Sequence, residues 1–481
     1  MANELNTKVK TATKWSAVTE VAAKLVTPIT SMVLARLLTP DAFGVVTTLA
    51  MIISFAEIFT DAGFQKYLVQ HDFIDDQDRD ESTNVAFWSN FILSLVIWGM
   101  IAVFANPLSA LVGNPGLGHV LIVACVSIPL AAFSSIQMAL YKRDLDFKTL
   151  FKVRMVSTIV PLVVTVPLAF WLRSYWALII GTITVNLVNA LLLTVFSRWK
   201  PRLFYSFSKF KEMFSFTMWS LVEAVAIWLT AYVDVFIVGT MLSQYYLGLY
   251  KTSSALVGQI MGLVTATTTP ILFSALSRLQ NNDKDFHELF FRFQKIVGLL
   301  IIPLGFGIFL FSDLVTEVVL GSQWHEASGF IGIWGLTSAV VIVLSHYSSE
   351  VYRAKGKPRL SVLSQVLHIA FLWPTVLIAV RYGFETLYIS RSLVRLTGVV
   401  INLCIMGWAI KMPIGRMLTN VLPTCFAAAC MGIVLLLPTA ENIWVSVFYA
   451  FIAAIVYFSV IMVFPDERKT LLNIPKLIKN K

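Results

Sequence analysis

The chain has 481 residues, of which 57% are hydrophobic and 13% charged, whereas globular proteins average roughly 45–50% apolar and about 25% charged residues. Its formal charge of +10 reflects 37 Lys and Arg against 27 Asp and Glu; in so apolar a chain that excess belongs on cytoplasmic loops facing anionic lipid, not on a nucleic-acid surface. A cytosolic enzyme, a secreted disulfide protein and a nucleic-acid-binding domain are all disfavoured by this composition.

Hydrophobic runs bounded by charged or Gly/Pro clusters predict spans at 15–36, 43–66, 84–105, 117–140, 155–172 and 175–197. A second set follows at 213–240, 248–273, 293–312, 327–349, 360–380 and 385–410, and two more close the chain at 415–437 and 442–464. Each crossing takes roughly 20 apolar residues, so fourteen of them leave no room for a large soluble domain. The first stretch follows Lys8, Lys10 and Lys14 and lacks a small-residue cleavage pattern, which predicts a retained helix, not a signal peptide. Three segments that mix apolar and basic residues, Lys142–Arg154, Phe207–Phe216 and Leu471–Ile478, are expected to lie in the headgroup layer.

Basic residues test this map. With the N-terminus inside, thirty of the 37 fall on cytoplasmic segments and only Arg36, Arg173, Lys251 and Arg381 fall at outer ends. Lys24, Arg391 and Arg395 lie within spans. Such alternation is the positive-inside signature, and it predicts that both termini are cytoplasmic. Acidic residues weigh little in that rule, so the acidic segment His71–Ser82 does not count against it.

An internal repeat is also visible. The outer turn that ends in Leu38-Thr39-Pro40-Asp41-Ala42-Phe43-Gly44 matches Leu242-Ser243-Gln244-Tyr245-Tyr246-Leu247-Gly248 at an offset of 204 residues. That offset equals six helices, so the two halves would be parallel repeats flanking a substrate path. The predicted organisation is a six-helix lobe at 1–205, a second at 206–410, and two further helices with a cytoplasmic amphipathic tail at 411–481.

Charge inside a bilayer costs roughly 2.5–3.5 kcal/mol on insertion scales and normally faces a cavity or a partner. Arg391 and Arg395 lie four apart on one helix face with no acid within a turn. A guanidinium fork suits phosphate oxygens, so the pair either meets an anionic substrate or locks to an acid on another helix. Glu20 and Lys24 are also four apart and can pair along their helix. Arg36 sits near the outer end beside Asp41. Glu57 and Asp61 share a face and suit proton or sodium handling, or pairing with Lys24 or Lys66. Asp234 with Lys251 is a candidate outer gate, Glu223 is a further intramembrane acid, and Glu350 with Arg353 reads as a solvated pair. The candidate substrate residues are thus Arg391, Arg395, Lys24, Arg36 and Glu223; the candidates for ion coupling or gating are Glu20, Glu57, Asp61, Asp234 and Lys251.

Other chemistry finds little footing. Cys125, Cys404, Cys425 and Cys430 lack metal-ligand spacing and read as small buried hydrophobes. There is no P-loop, and His287-Glu288 lacks the second histidine of a metalloprotease helix. No cofactor, metal or catalytic group is expected.

The stretch Leu34–Gly44, with Phe59-Thr-Asp-Ala-Gly63, Tyr67-Leu-Val-Gln70, Tyr141-Lys-Arg-Asp-Leu-Asp-Phe147 and Ala354-Lys-Gly-Lys-Pro358, resembles the Wzx-type oligosaccharide flippases of the multidrug/oligosaccharidyl-lipid/polysaccharide exporter superfamily, in its colanic-acid-exporter-like subgroup. The resemblance implies an all-α fold, V-shaped around a polar cavity, in the bacterial inner membrane. It also implies translocation of undecaprenyl-diphosphate-linked repeat units to the periplasmic leaflet, with polymerase and chain-length proteins as further partners. Two alternatives stand beside it: an ion-coupled multidrug exporter, favoured by the acids, and a membrane-embedded polymerase or acyltransferase. The latter usually carries a long catalytic loop, which the longest predicted outer loop, roughly 312–326, is not.

Overall fold

A computed structural model describes Trp15, Thr19, Ala23 and residues 26–61, 63–438 and 442–479; at 61, 215–220, 222–223, 226, 230 and 473–479 it describes the backbone alone. Among the described residues the regular structure is entirely helical. Twelve of these helices are long and apolar enough to cross a membrane. They run from Pro40–Thr60 and Asp76–Val103 through to Ile414–Leu436 and Ile443–Ile461, and each falls on a predicted span. The first and seventh predicted spans are met in part, by the shorter apolar helices Val26–Leu37 and Ala231–Met241. Both predicted spans carry intramembrane charges, which dilute their hydropathy.

Two predicted surface segments prove continuous with longer helices. Asp146 accepts a hydrogen bond from the Thr149 amide at 3.1 Å and starts a helix at Phe147 that continues through a π-turn at Pro161–Thr165 to Leu172. Lys148, Lys152 and Arg154 are therefore the first turns of a membrane helix, because an N-cap nucleates the helix at once. Likewise Phe207–Phe216 opens the unbroken 35-residue helix Phe207–Met241. At ~1.5 Å per residue such a helix outruns the hydrocarbon, so its basic first turns can stay in the headgroups. The last helix is Pro465–Lys479.

By packing, the chain divides into two compact units, Met1–Gly248 and Leu249–Lys481. Within each, the segments predicted to be cytoplasmic gather at one end. In the first unit Arg79 pairs with Asp144 at 2.9 Å, Arg143 donates to the Leu68 and His71 carbonyls at 2.8 and 2.7 Å, and Trp88 Nε1 donates to Arg202 O at 2.7 Å. Lys209 bridges Asp78 (2.5 Å) and Glu81 (3.1 Å), so the acidic segment clasps the first turn of the helix Phe207–Met241. At the opposite end, Asn114 donates to Thr48 Oγ1 and Gln244 to Gly113 O, the latter at 3.0 Å. In the second unit Lys355–Asp283 (2.6 Å), Arg416–Glu288 (2.5 Å) and Lys295–Glu467 (3.1 Å) likewise gather predicted inner segments.

Two smaller expectations change. Glu350 is 6% exposed and pairs with the more open Arg353, so it is a buried carboxylate and not half of a solvated pair. Cys125 is buried, Cys425 and Cys430 half-buried, but Cys404 is exposed, because its helix turns that face outward from the unit.

Candidate substrate-binding site

The arginine pair sits on helix Phe384–Ala409 of the second unit. Its platform is Trp334, and close helix packing positions that ring. A Cβ at Gly305 would overlap Ala339, and one at Gly335 would press on Ile308, so helices Asp283–Leu310 and Ser322–Ala354 approach where side chains are smallest. The π-turn Ile342–His346 follows directly in the second of these helices; such turns commonly mark functional sites in helices.

Arg395 Cζ lies 3.9 Å from the Trp334 ring centroid and Arg391 Cζ 5.2 Å from it. Both cations thus share one aromatic ring, each within cation–π range. Arg395 Nη1 donates to Ser338 Oγ at 2.9 Å and, at longer range, to Thr337 Oγ1 (3.4 Å) and the Trp334 carbonyl (3.5 Å). Among the described residues these partners of Arg395 are neutral, and no carboxylate pairs with it. Arg391 Nε donates to Tyr250 Oη at 3.1 Å, and Tyr250 stacks on Phe330, which in turn stacks on Tyr388. Two half-buried guanidinium groups thus meet one aromatic ring, and the neutral partners of Arg395 leave its charge available to an anion.

A cavity of about 420 Å³, lined largely by polar residues, lies in the first unit. Glu57, Ser54 and Thr60 line it from helix Pro40–Asp61, and Lys66 from the short helix Phe64–Gln70. Helices Asp76–Val103, Ser127–Arg143 and Trp176–Phe196 add Asn90, Ser134, Ser135, Asn186 and Asn189.

The remaining candidates are distributed as follows. Arg36 is exposed at the end of helix Val26–Leu37. Asp234, in the first unit, is half-buried and accepts from the Val235 amide at 2.8 Å; Lys251, half-buried, opens the second unit. Glu20 and Lys24 lie outside the described residues, as do the side chains of Asp61 and Glu223. The structure therefore brings Arg391 and Arg395 together and sets Glu57 in a separate cavity. Trp334, Tyr250 and the three asparagines escaped the sequence reading, although amides in apolar spans carry a cost that signals a partner.

A family model described as polysaccharide biosynthesis protein matches residues 33–329. The chain belongs to that polysaccharide biosynthesis protein family. The resemblance carried by Leu34–Gly44 is thereby met, and the family match spans the boundary between the two units. A relative of this family member, the succinoglycan biosynthesis transport protein ExoT of Rhizobium meliloti, is 23% identical over 70% of this chain and 68% of its own length. The lipid II flippase MurJ in an inward closed conformation shares the fold with TM-score 0.71 at 14% identity, covering 93% of this chain and 98% of that one. An inward-facing multidrug resistance MATE transporter of the MOP superfamily follows at 0.61 and 13%, over 82% and 96%. The polysaccharide biosynthesis family member is thus a multi-pass membrane protein with a transporter fold.

Proposed function

We propose that this protein is a flippase that moves undecaprenyl-diphosphate-linked oligosaccharide repeat units from the cytoplasmic to the periplasmic leaflet, for exopolysaccharide or lipopolysaccharide assembly. The observation that carries the reading is Arg395, a membrane-embedded cation held on Trp334 and by two neutral hydroxyls and one carbonyl, with Arg391 on the same ring. A diphosphate offers the Arg395 fork the charge and the paired oxygens that its neutral partners do not supply. Family membership supports the polysaccharide part of the reading, as does the likeness to a succinoglycan transport protein.

In this scheme the chain crosses the inner membrane fourteen times with both termini in the cytoplasm, in two six-helix repeats and two further helices. The repeats flank a cavity that opens alternately to each leaflet. Arg391 and Arg395 hold the diphosphate while the sugar crosses, and Lys24, Arg36 and Glu223 complete the cavity. Glu57 and Asp61, with Glu20, Asp234 and Lys251, couple movement to an ion gradient or gate it. A ligand shifts such an equilibrium only through its different affinity for the two states. Polymerase and chain-length proteins receive the product. A multidrug exporter is the second reading, favoured by Glu57 in its polar cavity and by the fold shared with a MATE transporter; two guanidinium groups on one ring would repel its cationic cargo.

The test is a deletion strain in which lipid-linked repeat units are measured leaflet by leaflet. Loss of repeat units from the outer leaflet, restored by the intact gene, supports the reading. Unchanged delivery sinks it.

A further inference from the structure

We infer that the first unit holds a separate subsite for the neutral sugar of the lipid-linked substrate, centred on Asn90; the inference rests on the flippase reading above. Asn90 is fully buried in the middle of helix Asp76–Val103. Its amide nitrogen donates to Ser135 Oγ at 2.6 Å and to the Ala132 carbonyl at 3.4 Å, while its Oδ1 has no hydrogen-bond partner. A buried acceptor left unpaired costs on the order of 1–3 kcal/mol, so it marks a place where a donor is missing. That side chain lines the cavity of about 420 Å³, within the ~300–1,000 Å³ typical of small-ligand sites.

The lining defines the chemistry of the occupant. Ser54, Ser134, Asn186 and Asn189 face the same space as Asn90. Amides and hydroxyls both donate and accept, as sugar hydroxyls do. Among the described residues no arginine lines the cavity, and the lysine that does, Lys66, is matched by an acid, Glu57. A diphosphate therefore finds no excess positive charge here, in contrast to the Arg391–Arg395 pair. The amide Nδ2 of Asn90, already committed to Ser135, fixes Oδ1 as an acceptor, and a sugar O–H is the donor that satisfies it.

Lys66 and Gln65 line the same cavity, at the end of the unit where the basic connectors gather. A sugar entering from the cytoplasmic leaflet would thus reach Asn90 without crossing the apolar half of the unit. Sugar recognition and diphosphate recognition then belong to different units of the chain, and each can be altered without the other.

The experiment uses the full chain in lipid nanodiscs and two kinds of probe: undecaprenyl diphosphate, and undecaprenyl diphosphate bearing N-acetylglucosamine, glucose or galactose. The expected result is that at least one sugar-bearing lipid binds roughly tenfold more tightly than the bare lipid, a single buried hydrogen bond to a polar group being worth that much. Asn90→Leu and, separately, Asn186→Ala bring that ratio towards one while affinity for the bare lipid is kept. Arg391→Ala weakens all the lipids alike. Equal binding of bare and sugar-bearing lipids by the unaltered protein overturns the subsite alone. A ratio unchanged in both asparagine variants, with only sodium affinity altered, overturns it in favour of a cation site. Binding of none of the lipids overturns the flippase reading together with the subsite.

Discussion

Gly44 and Gly248, 204 residues apart, make reciprocal close approaches: a Cβ on Gly44 would overlap the carbonyl of Gln244, and a Cβ on Gly248 would overlap that of Pro40. Each glycine is the fifth residue of a helix, and the atom it approaches belongs to the first residue of the other helix. Gly113 makes a third such approach, to the Gly239 carbonyl, with φ at +80°. Backbones come this near only where no side chain intervenes.

Gly44→Ala and Gly248→Ala are each expected to destabilise the protein by about 1–3 kcal/mol, the range for overpacking against backbone that cannot yield. The control is Gly99→Ala, in a helix with open space around it, where the added methyl is neutral or mildly stabilising. Thermal unfolding in detergent distinguishes them: the midpoint falls for the first two variants and holds for the third.

Arg395→Lys is not a conservative change. Lysine keeps the charge but loses the planar fork and the stacked contact with Trp334. Flipping of lipid-linked repeat units is expected to fall about tenfold or more in Arg395→Lys and Arg395→Gln alike. Trp334→Leu should fall by the factor of roughly 2–30 that corresponds to a cation–π contact. Rates in proteoliposomes, compared at equal protein insertion, check both; a fully active Arg395→Lys would mean the fork is not used.

Glu57→Gln removes the acid of the first-unit cavity while preserving its shape. If Glu57 couples transport to protons or sodium, the variant still binds the lipid, but an imposed ion gradient no longer accelerates flipping. Uptake measured with and without the gradient gives the answer directly. Gradient dependence equal to that of the unaltered protein would remove Glu57 from coupling.

Arg353→Ala leaves the buried Glu350 carboxylate without its ion-pair partner. A loss of about 1–3 kcal/mol is expected, the lower part of the range being favoured because Arg353 itself is largely exposed. Glu350→Gln in the same chain should recover part of that loss, since a neutral amide is cheaper to bury. A double-mutant cycle followed by thermal unfolding measures the coupling.

The predicted spans were legible because hydropathy is a local property of each segment in the bilayer, and Asp76–Val103 or Phe384–Ala409 score without reference to their neighbours. The pairing of Arg391 with Arg395 was equally legible, since four residues along a helix put both on one face. The segments that blurred were those where charge and apolar residues mix. Phe147–Leu172 and Phe207–Met241 are continuous helices whose basic first turns look interfacial when read alone.

What the sequence determined by itself was that the chain is built of many membrane-length apolar helices, and the family to which its motifs belong. These follow from how single residues partition between water, headgroups and hydrocarbon. Only the tertiary structure decided that Trp334 carries Arg395, that Tyr250 meets Arg391 across 141 positions, and that Asn90 is buried beside a cavity with an acceptor unmet. Between membrane helices the surroundings are as apolar as the side chains, so partners are chosen by shape and by a few polar contacts. Those choices leave no periodic mark along the chain.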